Sequence, residues 1–102
     1  MIVENMRSPR TGNKVANQFI ITDGAHVVFQ SYDSTIAEID FDNRIISIGE
    51  DWDYSVTTNK YRNAFFDDMG FSDLASKQGL KKALEKCLYE RDNGVVYKVV
   101  LV

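Results

Sequence analysis

The stretch IAEIDFDNRIISI at residues 36–48 decides the fold, because its alternation and its turn chemistry agree. Every second residue of its first arm is apolar, which is the period of a strand with one buried face. Asp42-Asn43 then supplies a two-residue turn, and the chain returns with Ile39 opposite Ile46. The stretch therefore predicts a β-hairpin with one apolar face and one largely polar face.

A second hairpin is predicted immediately before it, around Asp23-Gly24. Asp-Gly between two apolar runs is a strong hairpin signal, because the tight turn needs positive φ angles. A two-residue Asp23-Gly24 loop places Thr22 opposite Ala25 and Ile20 opposite Val27. Both faces of this ribbon are rather apolar, so we expect it to be central or covered on both sides.

Two helices are predicted after these hairpins. The first is capped by Thr57 or Thr58 and ends at Gly70, where a C-terminal glycine is typical. The second starts at Ser72 or Ser76 and ends at Asn93-Gly94. Its apolar stripe has the spacing of one helical face, and consists of Leu80, Ala83, Leu84, Cys87 and Leu88.

The C-terminal residues Val95–Val102 are nearly all apolar and β-branched, which is typical of a strand buried on both faces. Grouped strands followed by grouped helices indicate an α+β fold. We predict an antiparallel sheet of two hairpins plus a C-terminal strand (ββββααβ), with two helices packed on one face. The polar residues 1–14 are predicted to form an N-terminal arm, and residues 15–102 a single domain.

Composition excludes several classes of protein. The chain has 102 residues, of which 44% are apolar, and a single cysteine, so a disulfide-stapled secreted fold is not expected. No apolar stretch approaches the roughly 18 residues that a membrane span needs, and the N-terminus lacks the pattern of a signal peptide. We therefore expect a cytoplasmic protein that does not contact a membrane.

The charge is unevenly distributed, although the net charge is only −3. Residues 23–53 carry eight acidic residues against the single base Arg44, whereas residues 1–14 and 54–102 are each mildly basic. Such a run is consistent with an ordinary solvated face. It is also consistent with an acidic surface that docks on a basic groove of another protein, since complementary charge steers association.

Few side chains are of the types that catalyse reactions or bind metals. His26 is the only histidine and has no positioned partner in the sequence, and Cys87 lies in an apolar stripe with no base nearby. The carboxylate pairs Asp40/Asp42 and Asp51/Asp53 could hold Mg²⁺ or Ca²⁺, so a carboxylate metal enzyme is one hypothesis. We favour a protein that is not an enzyme and that uses no cofactor and no metal.

Aromatic residues gather around the first helix, and they have two interpretations. They could belong to the core, with their polar atoms satisfied at its rim. Alternatively, Trp52, Tyr54 and Arg62 could form an exposed anchor patch, since these residue types dominate binding hot spots.

The chain also resembles a family of small uncharacterised proteins of phages and mobile elements of Gram-positive bacteria. The resemblance covers residues 8–66 and supplies no activity, cofactor or catalytic residue. The resemblance implies that the gene lies among phage genes, whose short products often act as accessory or anti-defence factors. The runs that carry it are Ser8-Pro9-Arg10-Thr11-Gly12-Asn13, Val15-Ala16-Asn17-Gln18-Phe19, Phe29-Gln30-Ser31-Tyr32-Asp33-Ser34, Trp52-Asp53-Tyr54-Ser55 and Lys60-Tyr61-Arg62-Asn63.

Together these observations predict a non-enzymatic binding protein. Its expected form is a phage-encoded, anti-CRISPR-like inhibitor that occludes a basic surface of a host effector. The residues expected to contact this partner are Glu38, Asp40, Asp42, Asp51, Trp52, Asp53, Tyr54 and Arg62.

The alternative is a small nucleic-acid-binding or regulatory module, although direct nucleic-acid binding is disfavoured by the acidic run. A homodimer is left open, because an exposed apolar terminal strand could pair with a second copy. The basic residues that the alternative would use are Arg7, Arg10, Lys14, Lys60, Arg62 and the lysines of the second helix.

Overall fold

The computed structural model describes residues 1–102 as one seven-stranded sheet with two α-helices, which confirms the α+β class. Helix α1 spans Val56–Asp68, a short 3₁₀ helix spans Ser72–Leu74, and α2 spans Lys77–Lys86. None of these helices combines the length and the apolar character that crossing a membrane requires. The strands are β1 Ile2–Arg7, β2 Lys14–Asp23, β3 His26–Ser31, β4 Ser34–Asp40, β5 Ile45–Ile48, β6 Leu88–Glu90 and β7 Val96–Leu101.

The sheet is larger than the sequence predicts and is mixed. Its strand order is β1-β2-β3-β4-β5-β7-β6, and the β5–β7 pair is parallel while all other pairs are antiparallel. The prediction of a purely antiparallel ββββααβ sheet is therefore wrong in two respects: β5 and β7 are parallel, and β1 and β6 add two edge strands. The C-terminal strand β7 joins the sheet but lies inside it, so it offers no free edge to a second copy.

The hairpin predicted from residues 36–48 is confirmed as β4 and β5. Ile39 lies opposite Ile46 and Ala37 opposite Ile48, in the predicted register. The side chain of Asp40 accepts hydrogen bonds at the start of the turn, which fixes the end of the ladder. Alternation and turn chemistry suffice to predict this register because the two strands are adjacent in the sequence.

The β2–β3 hairpin forms, but its predicted register is wrong by two residues. Asp23 pairs with His26, so the loop is Gly24-Ala25, and Gly24 has a φ of +61° at the first loop position. A slip of two residues keeps every side chain on its predicted face. The ribbon is interior, as expected, but it is not covered on both sides, since Phe19 and Ile21 stay partly exposed on the face without helices.

Residues 1–14 do not form a separate arm. Ile2–Arg7 pairs with β2 as strand β1, and Met6 is buried in the core. The intervening residues form the tip of the β1–β2 hairpin. Glu4 and Asn5 interrupt the apolar residues of β1, so the sequence of this strand does not show a clear alternation.

The helix ends follow capping chemistry. The N-cap of α1 is Ser55 rather than Thr57 or Thr58, and Gly70 follows its last turn with a φ of +85°, as predicted. Ser76 caps α2. However, α2 stops at Cys87, which adopts a left-handed φ of +60° and is exposed, so the predicted helix through Leu88 is wrong. The following residues form β6 instead.

One apolar core joins the two helices to a single face of the sheet. Helix α1 packs over β2 and β3, and the ring of Phe65 stacks on Phe29 with 5.8 Å between centroids. Helix α2 packs over β6 and β7, where Phe71 meets Tyr97 edge to face at 5.1 Å. The opposite face of the sheet carries no helix.

Candidate functional site

The acidic residues predicted to form one docking surface lie in two groups. Asp23, Glu38, Asp40 and Asp42 lie toward the end of the sheet where the β2–β3 and β4–β5 turns meet. Asp33, Glu50, Asp51 and Asp53 lie at the opposite end, before β4 and after β5. The seven residues of β4 separate these ends by about 20 Å. The acidic residues expected to face one partner surface are therefore divided between two ends of the sheet, because β4 lies between the two groups.

Part of the first group is engaged by His26. Its Nδ1 lies 2.9 Å from Glu38 Oε2 and its Nε2 lies 3.6 Å from Asp40 Oδ2. The hydrogen bond to Glu38 and the charge of Asp40 raise the pKa of His26. Asp40 Oδ1 also accepts the backbone N–H groups of Asp42 and Asn43, and these hydrogen bonds lower the pKa of Asp40. Only Asp42 in this group of predicted residues keeps a carboxylate free of such contacts.

A cleft of about 570 Å³ lies at the other end of β4, between the β3–β4 turn and the N-terminus of α1. We call it the tyrosine cleft. Two residues predicted from the sequence, Asp51 and Tyr54, belong to it. Its lining consists of Ser31, Tyr32, Asp33, Ser34, Ile36, Asp51, Tyr54, Ser55, Thr57 and Thr58.

Tyr32 and Tyr54 form the aromatic part of the tyrosine cleft. Their exposed fractions are 51% and 74%, which is unusual for large aromatic side chains. Tyr32 is the first residue of the two-residue loop between β3 and β4 and has a φ of +54°. The equivalent position of the β2–β3 loop is Gly24, which adopts such an angle without steric strain. Tyr32 therefore keeps a large exposed ring where glycine would be the easier residue.

The carboxylates of the cleft differ in how they are engaged. Asp51 Oδ2 accepts a hydrogen bond from Ser34 Oγ at 3.1 Å, but neither Asp51 nor Asp33 forms an ion pair. Asp53, just outside the lining, binds Lys77 Nζ at 2.8 Å, and this contact lowers the pKa of Asp53. The cleft thus holds two negative charges that have no basic partner within the chain.

Hydroxyl groups order the floor of the cleft. Ser31 Oγ lies 3.0 Å from Thr58 Oγ1, and Ser55 Oγ donates to the same oxygen at 3.1 Å. Ser55 Oγ in turn accepts the backbone N–H of Thr58 and caps α1. The lining contains hydroxyls, carboxylates and phenols but no imidazole, thiol or ammonium group. Its chemistry is therefore suited to hydrogen bonding and to holding a cation.

Arg62 does not lie where a partner-binding anchor would. Its side chain is fully buried, and burial lowers the pKa of its guanidinium. It donates to the carbonyl of Trp52 and to the side-chain oxygens of Asn59 and Asn63. Trp52 is half-buried against the core, with Arg62 over its ring. The prediction of Arg62 as a surface contact is wrong, because it holds the loop that carries Tyr54 instead.

The basic residues of the nucleic-acid alternative are dispersed. Arg7, Arg10 and Lys14 lie around the tip of the β1–β2 hairpin, whereas Lys77 on α2 is paired with Asp53. Arg62 is buried. Of the basic residues that a nucleic-acid-binding module would use, Arg62 is therefore inaccessible and the charge of Lys77 is offset by Asp53.

Sequence reasoning missed Tyr32 as a site residue. The signal was present, since Phe29-Gln30-Ser31 and Ser34–Asp40 are strand-like runs separated by only Tyr32-Asp33. A two-residue loop between such runs places the loop side chains at the surface. Its place in the same cleft as Tyr54 depends on tertiary packing, and no local sequence pattern predicts it.

This fold and this site define a small α+β protein with a tyrosine-lined acidic cleft beside the start of its first helix. The chain belongs to a family of unknown function (DUF8033), whose model matches residues 1–82. The match includes every residue of the tyrosine cleft and ends within α2, before β6 and β7. No curated protein and no solved structure matches the chain.

Proposed function

We propose that this chain is a non-enzymatic binding protein whose tyrosine cleft holds a basic segment of another protein. One observation supports this most strongly: Tyr32 and Tyr54 are exposed in the same cleft as Asp33 and Asp51, two carboxylates without an ion-pair partner. Tyrosines beside unpaired carboxylates are suited to lysine and arginine side chains, which bind both groups.

The position of Tyr32 adds weight to this proposal. A left-handed φ costs a non-glycine residue roughly 1 to 2 kcal/mol, and such strain is typical of residues kept for a function. The backbone is held there because Tyr32 N–H donates to the carbonyl of Asn17 at 2.7 Å. A rigid, exposed phenol is an efficient binding anchor, since it loses little conformational entropy when a partner packs against it.

The charge around the cleft favours a basic partner. Glu50 lies next to Asp51 and, like Asp33, makes no ion pair. Their combined negative potential would steer a lysine- or arginine-rich surface toward the cleft. A host effector with a basic nucleic-acid channel, the anti-defence target suggested by the resemblance to phage proteins, is one partner of this chemistry.

The proposal is tested by fluorescence anisotropy with a labelled peptide of about ten residues rich in arginine and lysine, since electrostatic contacts of this kind weaken with salt. We expect saturable binding that Asp33→Asn with Asp51→Asn weakens about tenfold. The matched control is Asp42→Asn with Asp68→Asn, which changes the net charge equally at sites remote from the cleft.

Two outcomes of this experiment would contradict the proposal. If the control pair weakens peptide binding as much as the cleft pair, the peptide responds only to net charge. If a labelled DNA strand binds more tightly than the peptide, with a steep dependence on salt, the nucleic-acid alternative is favoured instead.

A further inference from the structure

The β1–β2 hairpin extends past the rest of the sheet and has a basic tip. The last residue of β2 that pairs with β3 is Gln18, but β2 and its pairing with β1 continue to Lys14. Residues 14–16 of β2 therefore extend past the β3–β4 turn, over a distance of about 10 Å. We call residues 7–14 the basic tip, because they include three bases and no acidic residue. The bases are Arg7, Arg10 and Lys14.

Local hydrogen bonds close the basic tip into a defined loop. Ser8 N–H donates to the carbonyl of Asn13, and Gly12 N–H donates to the carbonyl of Ser8, both at 2.9 Å. The side chain of Arg7 donates to the carbonyl of Gly12. The side chain of Arg10, by contrast, is exposed and forms no ion pair. A loop that is already ordered loses little conformational entropy on binding, so Arg10 is well placed to dock into a partner.

The tyrosine cleft lies at the same end of the sheet as the basic tip. Strand β2 begins at this end and β3 ends there, followed by the turn that carries Tyr32 and Asp33. The tip lies between β1 and β2 and the turn between β3 and β4, so their centres are about 10 Å apart across the strands. The tip forms no ion pair with the cleft of its own chain. The charged residues at or near this end are Arg7, Arg10, Lys14, Asp33, Glu50, Asp51, Lys60 and the Asp53–Lys77 ion pair.

From this arrangement we propose that the basic segment held by the tyrosine cleft is the basic tip of a second copy of this chain. The inference rests on the proposed function of the cleft and names its partner. A two-fold axis normal to the sheet, passing between β2 and β3 at this end, exchanges the positions of tip and cleft. The two copies then meet end to end, with Arg10 of each copy beside Asp33 and Asp51 of the other. The same attraction is therefore made twice.

The chemistry of this contact is complementary. A guanidinium presents a planar set of donors that suits carboxylate oxygens and also stacks on aromatic rings, and the cleft supplies both through Asp33 and Tyr54. Because the axis lies between tip and cleft, each tip faces a cleft and neither tip faces its equivalent. Arg10 is thus a residue that each copy contributes to the site of the other.

The contact is small, so the pair should be weak. Each copy contributes one loop and one cleft of about 570 Å³. Interfaces at the small end of the range are transient, and we expect association at protein concentrations of about 0.1 to 1 mM. At much lower concentrations the cleft is free to bind a peptide.

Sedimentation equilibrium of the full chain tests the proposal. We expect the average mass to rise from one chain toward two between about 10 µM and about 1 mM. Arg10→Glu should weaken association about tenfold, and so should Asp33→Asn with Asp51→Asn, since each alters two symmetry-related contacts. The control is Lys81→Glu on α2, which changes the charge as much as Arg10→Glu and should leave association unchanged. A protein that stays monomeric up to about 1 mM contradicts the proposal, as does equal weakening by the control.

A mixing experiment separates this pair from dimers of other geometry. The Arg10→Glu chain keeps an unchanged cleft, and the chain with Asp33→Asn and Asp51→Asn keeps an unchanged tip. A mixed pair therefore retains one of the two contacts, and we expect it to associate about threefold more tightly than either variant alone. No gain on mixing would show that Arg10 and the cleft of another copy do not meet. Circular dichroism confirms that each variant is folded.

Failure of this inference and failure of the proposed function give different results. The labelled basic peptide, at low protein concentration, reports on the cleft of the single chain. Peptide binding by a protein that stays monomeric refutes the second copy as the partner and leaves the proposed function standing. If the peptide does not bind, the proposed function fails as well. Where both are correct, excess unlabelled peptide competes with the basic tip and returns the average mass to that of one chain.

Discussion

The guanidinium of Arg62 lies over the indole ring of Trp52, with 5.2 Å between Cζ and the ring centroid, and donates to the carbonyl of Trp52. This contact fixes the loop after β5 onto α1. Tyr54 follows two residues later and Asp51 precedes the pair, so the cleft loop depends on Arg62 although no partner could reach that side chain. Arg62 therefore affects the cleft by holding its loop in place and not by touching a bound partner.

Arg62→Met should destabilise the protein and disorder the cleft loop. The change leaves the Trp52 carbonyl and the oxygens of Asn59 and Asn63 without their donor, and we expect the free energy of unfolding to fall by about 3 kcal/mol. Urea denaturation measures this. Lys60→Met, on the exposed side of the same helix, is the control and should change stability by less than about 0.5 kcal/mol. Equal effects of the two changes would mean that the Arg62 contacts contribute nothing.

Tyr32→Gly should stabilise the protein while weakening peptide binding. Glycine relieves the left-handed strain, for a gain of about 1 kcal/mol. Loss of the exposed ring should lower peptide affinity about fivefold. Tyr54→Gly is the matched control, because Tyr54 lacks a positive φ and should lose affinity without gaining stability. A Tyr32→Gly variant that binds the peptide normally would remove this tyrosine from the site.

Cys87→Gly should also stabilise the protein. Cys87 ends α2 with a φ of +60° and is exposed, so its side chain gains little from packing. Glycine at this position should raise the free energy of unfolding by about 1 kcal/mol. Cys87→Ala keeps the strained angle and should give no gain. Equal stabilities of the two variants in thermal denaturation would contradict the assigned end of α2.

His26 should make stability depend on pH. Its pKa is raised in the folded protein, from an ordinary value of 6.5, by Glu38 and Asp40. The stabilisation is therefore fully present below the unfolded pKa and is lost as the pH rises through the folded pKa. Urea midpoints of wild type and His26→Gln should differ most near pH 5.5 and least near pH 9. A constant difference across this range would show that the charged imidazole is not stabilised.

Sequence reasoning succeeded where structure is set by near neighbours. The β4–β5 register followed from alternation plus one turn, and Ser76 and Gly70 were found as helix ends because capping is local. The β2–β3 register failed by two residues because Asp23-Gly24 and Gly24-Ala25 are both plausible loops around one glycine. The structure uses the second.

The remaining differences come from tertiary contacts. Leu88 has the spacing of a helical stripe, and only its pairing with Lys98 of β7 places it in a strand. Arg62 has the composition of a surface anchor, and only its contact with Trp52 buries it. Tyr32 joins the cleft because α1 packs beside the β3–β4 turn. None of these contacts leaves a local pattern in the sequence.

The most direct test of the binding proposal is an amide NMR titration of the ¹⁵N-labelled protein with the basic peptide. The proposal predicts the largest shifts at residues 31–34 and 51–58, which border the tyrosine cleft. No comparable shifts are expected in the turns at residues 23–26 and 40–44, which lie at the far end of β4 from the cleft. Shifts confined to those turns, or no shifts at saturating peptide, would contradict the assignment of the cleft as the binding site.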